Sequence, residues 1–181
     1  MIDTAIPETL RTWAASDADP DTKLNALMRL YAEALDCQRC ILYCRQPDLR
    51  RATTTHAWWS EEPYAVTWES WFSSEWVDED PPNAEDPLYH AAFTSPDAIY
   101  IGDIENDPTG LVNLEFEQRI FLHQALIHAP IYYQGKFYGI LEPSVFGHPR
   151  EWSATDRAIT AWTQAQLGPI VAEYVATHGP K

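Results

Sequence analysis

The feature that most constrains the fold is a 21-residue stretch in the second half of the chain, Ala125–Val145. It contains two runs rich in apolar, aromatic and β-branched residues, 125–133 and 136–145, separated only by Gln134-Gly135. Glycine in a two-residue connection can take the positive φ that tight hairpin turns require. The stretch therefore predicts two adjacent antiparallel strands joined by a tight turn.

Weaker patterns predict the other elements. Apolar side chains recur at helical spacing from Leu24 to Leu35, after a helix start capped by Asp21 or Thr22. Ser153 caps the last helix, and its spacing to Asp156 resembles a capping box. The predicted helices cover 7–15, 21–35, 85–93, 114–124 and 153–175, and the further strands cover 40–45, 51–59 and 98–101. Helices mixed with strand hairpins indicate an α+β fold, an antiparallel sheet with helices packed over it.

The net charge of the chain is −15, and it is unevenly distributed. No Lys or Arg lies between Arg51 and Arg119, and residues 52–118 hold 15 acidic side chains, so this segment carries the whole net charge. A surface of this charge repels nucleic acids and anionic membranes, and we expect neither as a partner. With no apolar run of about 18 residues and no secretory signal at the N-terminus, we expect a cytoplasmic protein.

The same acidic segment is rich in tryptophan. Five of the eight Trp residues lie in it: Trp58, Trp59, Trp68, Trp71 and Trp76. The part 58–86 has three open interpretations: a lid whose rings stack on a flat ligand, a face that binds a protein, or a long loop covered by its own aromatic side chains. The predicted partner-binding residues are Trp68, Trp71, Trp76, Asp78, Glu79 and Asp80. Acidic side chains at such a face favour a basic partner.

Three cysteines lie close together, in the pattern Cys37-x2-Cys40-x3-Cys44. Thiolates at short spacing suggest a metal or redox site, whereas cysteines on a core strand usually serve packing. Cys40 and Cys44 lie on one face of the predicted strand but about 13 Å apart, at ~3.3 Å per residue, too far to share one metal ion. We therefore expect core packing and no metal site.

The predicted hairpin also carries ionisable residues. Alternation along its second strand places four side chains on one face: Tyr138, Ile140, Glu142 and Ser144. His123 and His128 flank the start of its first strand, either as ligand contacts or simply hydrogen-bonded in place. Glu142 needs a partner if it is buried, and His128 is a candidate; the alternative is a water-exposed Glu142 near the strand end.

Four motifs together resemble one known family. They are Asp36-Cys-Gln-Arg-Cys-Ile-Leu-Tyr43, Ala129-Pro-Ile131, Gly135-Lys-Phe-Tyr-Gly-Ile-Leu141, and Pro149-Arg-Glu-Trp-Ser153 followed by Asp156. The order of a Pro-Ile strand, a tight turn, a Gly-apolar strand and an Arg-x-Trp-Ser before a long helix resembles the GAF domain. The resemblance extends over 24–175.

The resemblance implies a central antiparallel β-sheet of five to six strands, with helices on both faces and a small-molecule pocket on one. The chain looks most like the bilin-binding branch found in phytochromes and related cyanobacterial photoreceptors. In that branch a cysteine holds the bilin, but neither 114–124 nor 145–147 contains one, so the resemblance favours non-covalent binding. A GAF relative reduces free methionine sulfoxide with cysteines that lie in later loops. The cysteines of this chain lie within 37–44, at positions that do not match. With no hydrolase or transferase motif either, we expect no enzyme.

We therefore expect a stand-alone regulatory or sensory module that binds an unidentified small molecule. The predicted ligand-binding residues are Tyr138, Ile140, Glu142, Ser144, His123, His128 and Trp59. The alternative is a ligand-free interaction module whose acidic, Trp-rich face binds a basic protein. We expect a single domain over 1–181, with a helical extension at 1–20 and a core at 21–177. The terminal helices carry apolar stripes, which predict a homodimer if they pair between two chains. The alternative is that the stripes pack on one another within the monomer.

Overall fold

The computed structural model describes residues 6–65, 75–79 and 85–181. Within them the helices are α1 (Glu8–Ala15), α2 (Pro20–Ala34), α3 (Pro87–Ala92), α4 (Leu114–Ile120) and α5 (Ala154–His178). The strands are β1 (Arg39–Gln46), β2 (Arg51–Trp59), β3 (Val77–Asp78), β4 (Ile99–Ile101), β5 (Ala125–Tyr133) and β6 (Lys136–Val145). They form one antiparallel sheet in the order β3-β2-β1-β6-β5-β4. The predicted α+β fold is confirmed.

The β5–β6 hairpin has the predicted bounds. Gln134 and Gly135 both have positive φ, 49° and 78°, as a two-residue turn between twisted strands requires. Two predicted helix ends are wrong. The cap of α2 is Asp19, whose side chain accepts the Thr22 N–H at 3.1 Å, with Pro20 in the first turn. Helix α4 ends at Ile120 because Leu122 turns outward with a φ of 60°.

One face of the sheet is covered by α1, α2 and α5, which together with it form the main hydrophobic core. The Tyr31 hydroxyl of α2 donates to Thr160 of α5 at 2.8 Å, which ties the two helices together inside the chain. The α2 stripe predicted for dimerisation is buried in this core: Leu24, Leu27, Met28 and Tyr31. Of the α5 stripe, Ile159 is buried there, and Trp162, Ile170 and Tyr174 are partly buried against it. These side chains pack within the monomer.

The three cysteines lie in the same core, which confirms the packing interpretation. They form no disulfide, and burial raises the pKa of the Cys37 and Cys44 thiols to about 12. Burial also raises the pKa of Cys40 well above its ordinary value. The reactive thiolate form is therefore strongly disfavoured at all three positions.

The opposite face of the sheet is covered by α3, α4 and the residues that follow α4. Tyr89 and Ala92 of α3 pack on Phe137 and Ile140 of β6. Phe116 and Phe121 pack on Ile41 of β1 in a separate cluster. This second layer buries fewer apolar side chains than the main core, and a cavity lies within it beside the sheet.

A β-bulge in β6 changes which side chains face this layer. Ile131 pairs with Gly139, whereas its neighbour Tyr132 pairs with Phe137, so Tyr138 is the extra residue. The bulge turns Phe137 towards α3, while Tyr138 packs against the main core on the other side of the sheet. The prediction that Tyr138 shares a face with Ile140 is therefore wrong.

Candidate functional site

A small cavity lies between the second face of the sheet and α3. Its volume is about 30 Å³, room for roughly two water-sized groups. Its walls combine aromatic, aliphatic and ionisable side chains: Ile41, Tyr43, Thr54, Asp86, Tyr89, Phe121, His128, Ile140 and Glu142. A wider groove of about 450 Å³ separates α1 from α2, but no buried polar side chain lines it. The small cavity is therefore the candidate site.

Glu142 and His128 form a buried ion pair on neighbouring strands at the cavity wall. Glu142 Oε2 lies 3.1 Å from His128 Nδ1, and both residues are less than a tenth exposed. Burial lowers the pKa of His128, but the hydrogen bond and charge of Glu142 outweigh it and hold that pKa above its ordinary value. Burial raises the pKa of Glu142, but His128, His123 and Arg39 outweigh it and hold that pKa below its ordinary value. The predicted pairing is confirmed, and the alternative of a water-exposed Glu142 is wrong.

Each member of this pair presents a second polar atom that is unsatisfied. His128 Nε2 and Glu142 Oε1 are buried and have no hydrogen-bond partner among the described residues. His123 Nδ1 lies 3.8 Å from Glu142 Oε1, too far for a hydrogen bond. A buried polar atom without a partner costs free energy, and such atoms mark places where a ligand or water binds.

His123 lies behind the cavity and does not line it. Its Nε2 is 2.9 Å from Glu117 Oε2 of α4, and its Nδ1 is 3.1 Å from the Ser144 hydroxyl of β6. A neutral ring that donates from Nε2 and accepts at Nδ1 satisfies both contacts. Ser144 is fully buried and supports His123 rather than facing the cavity. The sequence did not point to Glu117, because an acidic residue in an amphipathic helix is predicted to be solvent-exposed.

Asp86 is the second carboxylate of the cavity wall, and sequence reasoning missed it too. Its side chain caps α3 by accepting a hydrogen bond from the Tyr89 N–H at 3.1 Å. The pair Asp86-Pro87 therefore predicts no more than an ordinary helix start. Burial raises the pKa of Asp86 to about 6, although the charge of His128 opposes that rise. The ionised form of Asp86 is therefore unfavourable in the folded protein, and ionisable groups perturbed in this way are typical of functional sites.

Replacing Asp86 by asparagine is expected to stabilise the fold at pH 7 by about 1–3 kcal/mol. Asparagine keeps the helix cap but carries no charge that burial penalises. Since the pKa of Asp86 rises on folding, the wild-type chain loses stability relative to the variant as pH rises from about 4 through 6. Urea unfolding at pH 4 and pH 7 measures this, and equal stability of the two chains at both pH values would contradict it.

The predicted ligand residues divide into three groups. Glu142, His128 and Ile140 line the cavity. His123 and Ser144 support it from behind. The third group does not line the cavity: Trp59 is half-buried opposite Arg39 in the sheet, and Tyr138 packs against the main core on the other side of the sheet.

The predicted partner-binding face is only partly described. Trp68, Trp71 and Asp80 lie outside the described residues. Trp76 is half-buried against the main core, and Asp78 is exposed, with one oxygen 2.9 Å from Arg51 Nε.

Glu79 does not belong to an exposed acidic face, and that prediction is wrong. Its side chain is 2% exposed and forms a two-pronged ion pair with Arg45 of β1. It also accepts the hydroxyl of Tyr89 at 2.7 Å. Glu79 therefore connects β1 to α3 at the aromatic wall of the cavity. There the ring of Tyr89 packs edge-on against that of Tyr43, with 5.6 Å between the ring centroids.

No cluster of His, Cys, Asp and Glu suited to a metal ion occurs in 6–65, 75–79 and 85–181. Of the helices in these ranges, none combines the length and hydrophobicity that crossing a bilayer requires.

Comparison with known proteins bears on this arrangement. The family model for the GAF domain matches residues 19–165. The chain resembles the phycocyanobilin-bound GAF domain of a cyanobacterial phytochrome, with a TM-score of 0.69 and 14% identity over 99% of this chain and 98% of that one. It also resembles the GAF domain of an Acinetobacter phosphoenolpyruvate-protein phosphotransferase, with a TM-score of 0.68 and 13% identity over 99% of this chain and 98% of that one.

A third similar structure is an enzyme, the free methionine-R-sulfoxide reductase of Neisseria meningitidis in complex with its substrate. Its TM-score is 0.65, with 12% identity over 97% of this chain and 91% of that one. No curated protein matches this chain. At such low identities these structures establish a shared fold and leave the ligand open.

Proposed function

This chain belongs to the GAF domain family, and we propose that it is a regulatory module that binds a small molecule non-covalently in the cavity beside α3. The single observation that carries this proposal is the pair of unsatisfied buried atoms at the cavity wall, His128 Nε2 and Glu142 Oε1. A ligand that hydrogen-bonds to both atoms satisfies them and thereby lowers the free energy of the folded protein.

The cavity and the cysteines both support a small, non-covalent ligand. The volume of about 30 Å³ suits about two heavy atoms, such as one polar group of a larger ligand, and is far below the size of a tetrapyrrole. The three cysteines lie in the core on the opposite face of the sheet. A thioether or a thiol-based reduction at the cavity therefore has no support from these residues, and we propose that the chain is not an enzyme.

Thermal unfolding tests this function. Protein freed of small molecules by exhaustive dialysis is heated with and without a small-molecule extract of its host. A ligand present well above its dissociation constant is expected to raise the melting temperature by about 5 °C or more. Thr54→Leu fills the cavity and should abolish the rise, whereas Thr155→Leu, at an exposed site on α5, should preserve it. An equal rise in both variants, or no rise in the wild type, contradicts ligand binding in this cavity.

A protein-interaction module is the second candidate. The observation that favours it is the concentration of the whole net charge of −15 in residues 52–118. Among the predicted partner-binding residues that are described, Asp78 is the exposed acid. A basic partner should then bind in a salt-sensitive way, and Asp78→Lys should weaken the complex. Binding of such a partner that neither salt nor this reversal affects would count against the charged face.

The organisation of the whole protein is also a proposal. We retain a single domain, with an extension at 1–20 and a core at 21–177; Leu10 and Trp13 of α1 are buried in the main core, which supports one unit. We propose a cytoplasmic homodimer, although its contacts must differ from the α2 and α5 stripes, which pack within the chain. Sedimentation at micromolar concentration measures the oligomeric state, and a monomer would refute the dimer.

A further inference from the structure

We propose that the group bound in the cavity is a small organic cation, the primary ammonium of an amine, held by Glu142, His128 and Asp86. This inference rests on the proposed function, because it names the chemistry of the ligand for the same cavity. The evidence is the charge of the groups around the cavity, the two unsatisfied atoms and the aromatic wall.

The ionisable groups around the cavity carry an excess of negative charge. Glu142 of β6 and Asp86 at the start of α3 line it, and Glu117 of α4 lies behind it on His123. The facing cations are His128 of β5 and the buried Arg39 of β1, whose guanidinium donates to the Phe121 carbonyl at 2.9 Å. Three carboxylates therefore face two cations when His123 is neutral. When His128 is neutral as well, the three carboxylates face only Arg39, and a cationic ligand offsets part of this excess negative charge in a site where water screens poorly.

An ammonium also satisfies both orphaned atoms. The ionised carboxylate of Glu142 can only accept, so the His128 proton that lies between them belongs to Nδ1. When the ring is neutral, the buried Nε2 carries a lone pair that has no hydrogen-bond donor among the described residues. Glu142 Oε1 and His128 Nε2 then become two acceptors, and Asp86 supplies a third at the same wall. A primary ammonium carries three N–H donors.

The proton balance of this binding step is explicit. His128, charged at low pH, gives up its Nε2 proton to solvent, and the ammonium N–H takes its place. Asp86, partly protonated near pH 6, must also be ionised to accept. Binding of the cation therefore releases protons, and the affinity should rise with pH across the range in which these two groups titrate. An alkylammonium stays charged throughout that range, as a lysine side chain does.

The remaining wall suits a cation more than a neutral or anionic group. Tyr43, Tyr89 and Phe121 line the cavity beside the carboxylates. Aromatic rings within about 6 Å attract a cation through their negatively charged faces. An anion meets two carboxylates and these rings, and a neutral alcohol offers a single donor for three acceptors.

Wild-type protein and three probes of nearly equal size test the inference: n-propylammonium, 1-propanol and propionate. Backbone resonances of cavity residues such as Ile41, Tyr89 and Ile140 report binding at the site. We expect n-propylammonium to bind about ten-fold or more tightly than either other probe at pH 8, since it alone makes charge-assisted bonds to both carboxylates. We expect its affinity to fall about ten-fold or more at pH 5.5. Tighter binding of propionate or 1-propanol than of n-propylammonium would overturn the proposal. An affinity for n-propylammonium that is as high at pH 5.5 as at pH 8 would also overturn it.

Paired variants separate the cavity from the acidic surface. Glu142→Gln removes one cavity carboxylate, and Glu173→Gln removes one exposed carboxylate of α5 with the same change in net charge. Glu142→Gln should weaken n-propylammonium binding about ten-fold or more, with little effect of Glu173→Gln. Equal weakening by both variants would assign the binding to the general charge of the protein and overturn the site. Should Glu142→Gln fail to fold, the wild-type probe series still decides the question.

The outcomes also distinguish this inference from the function on which it rests. If host extract stabilises the wild type but not Thr54→Leu, and propionate or 1-propanol is the best probe, the cavity binds ligands and only the cation is wrong. If neither the extract nor any probe affects the cavity resonances, the proposed function itself fails.

Discussion

Replacing Glu79 by alanine is expected to lower the free energy of unfolding by about 3–5 kcal/mol, the typical cost of removing one partner of a buried ion pair. Arg45 would keep its charge at a site that is 7% exposed, and the Tyr89 hydroxyl would lose its acceptor. Because Tyr89 lines the cavity, ligand affinity should fall along with stability. Urea unfolding monitored by tryptophan fluorescence measures the change.

The matched control is the preceding residue, Asp78. Its side chain is 73% exposed and pairs with the half-exposed Arg51, so Asp78→Ala should cost less than about 1 kcal/mol. Two adjacent carboxylates thus have very different predicted effects. Similar losses for Glu79→Ala and Asp78→Ala would show that the Glu79–Arg45 contact does not hold β1 to α3.

Replacing Gly139 by alanine is expected to cost about 3 kcal/mol or more. Gly139 has a φ of 147° in the bulge of β6, a conformation that other residues rarely adopt. A Cβ atom there would lie 2.0 Å from the Tyr43 carbonyl oxygen in the adjoining strand. Relief of that clash requires the backbones of β1 and β6 to separate at the cavity wall. Denaturant unfolding again gives the magnitude.

Gly135→Ala is the control for the effect of positive φ alone. Gly135 has a φ of 78° in the hairpin turn, and a Cβ atom there meets nothing within 4 Å. Its replacement should cost about 1–2 kcal/mol. If Gly139→Ala is no more harmful than Gly135→Ala, then close approach of β1 and β6 at the bulge does not constrain the sheet.

The parts of the fold that sequence reasoning predicted well are those that local chemistry decides. Gln134-Gly135 specifies a tight turn, so both strands of the hairpin have the predicted bounds. The bulge at Tyr138 has only a weak local signal, the single Gly139 inside the strand, which does not specify which neighbouring residue is the extra one. Strict alternation therefore placed Tyr138 on the wrong face.

The candidate site shows the same division. The pairing of Glu142 with His128 was predictable, because both residues lie on adjacent strands of one recognisable hairpin. The burial of Glu79 was not, since its partner Arg45 is 34 residues away and only the fold brings them together. Asp86 was hidden for a different reason: an aspartate before a proline is fully explained as a helix cap, and its place in the cavity wall depends on where α3 packs.

Asp86 also connects stability with the proposed function. Burial of the charged Asp86 carboxylate destabilises the folded protein, and the same charge attracts a cationic ligand. Selection for stability alone would favour asparagine at this position. The predicted gain in stability of Asp86→Asn should therefore be accompanied by weaker binding of n-propylammonium.

Native mass spectrometry of the protein, purified gently from its own host, tests the central claim most directly. We predict a mass above that of the 20.7 kDa chain that returns to the bare value on denaturation, because the ligand is small and not covalently attached. The excess mass defines the ligand class, and an amine is expected. A bare chain under native conditions, or an added mass that survives denaturation, would contradict non-covalent binding of a small molecule.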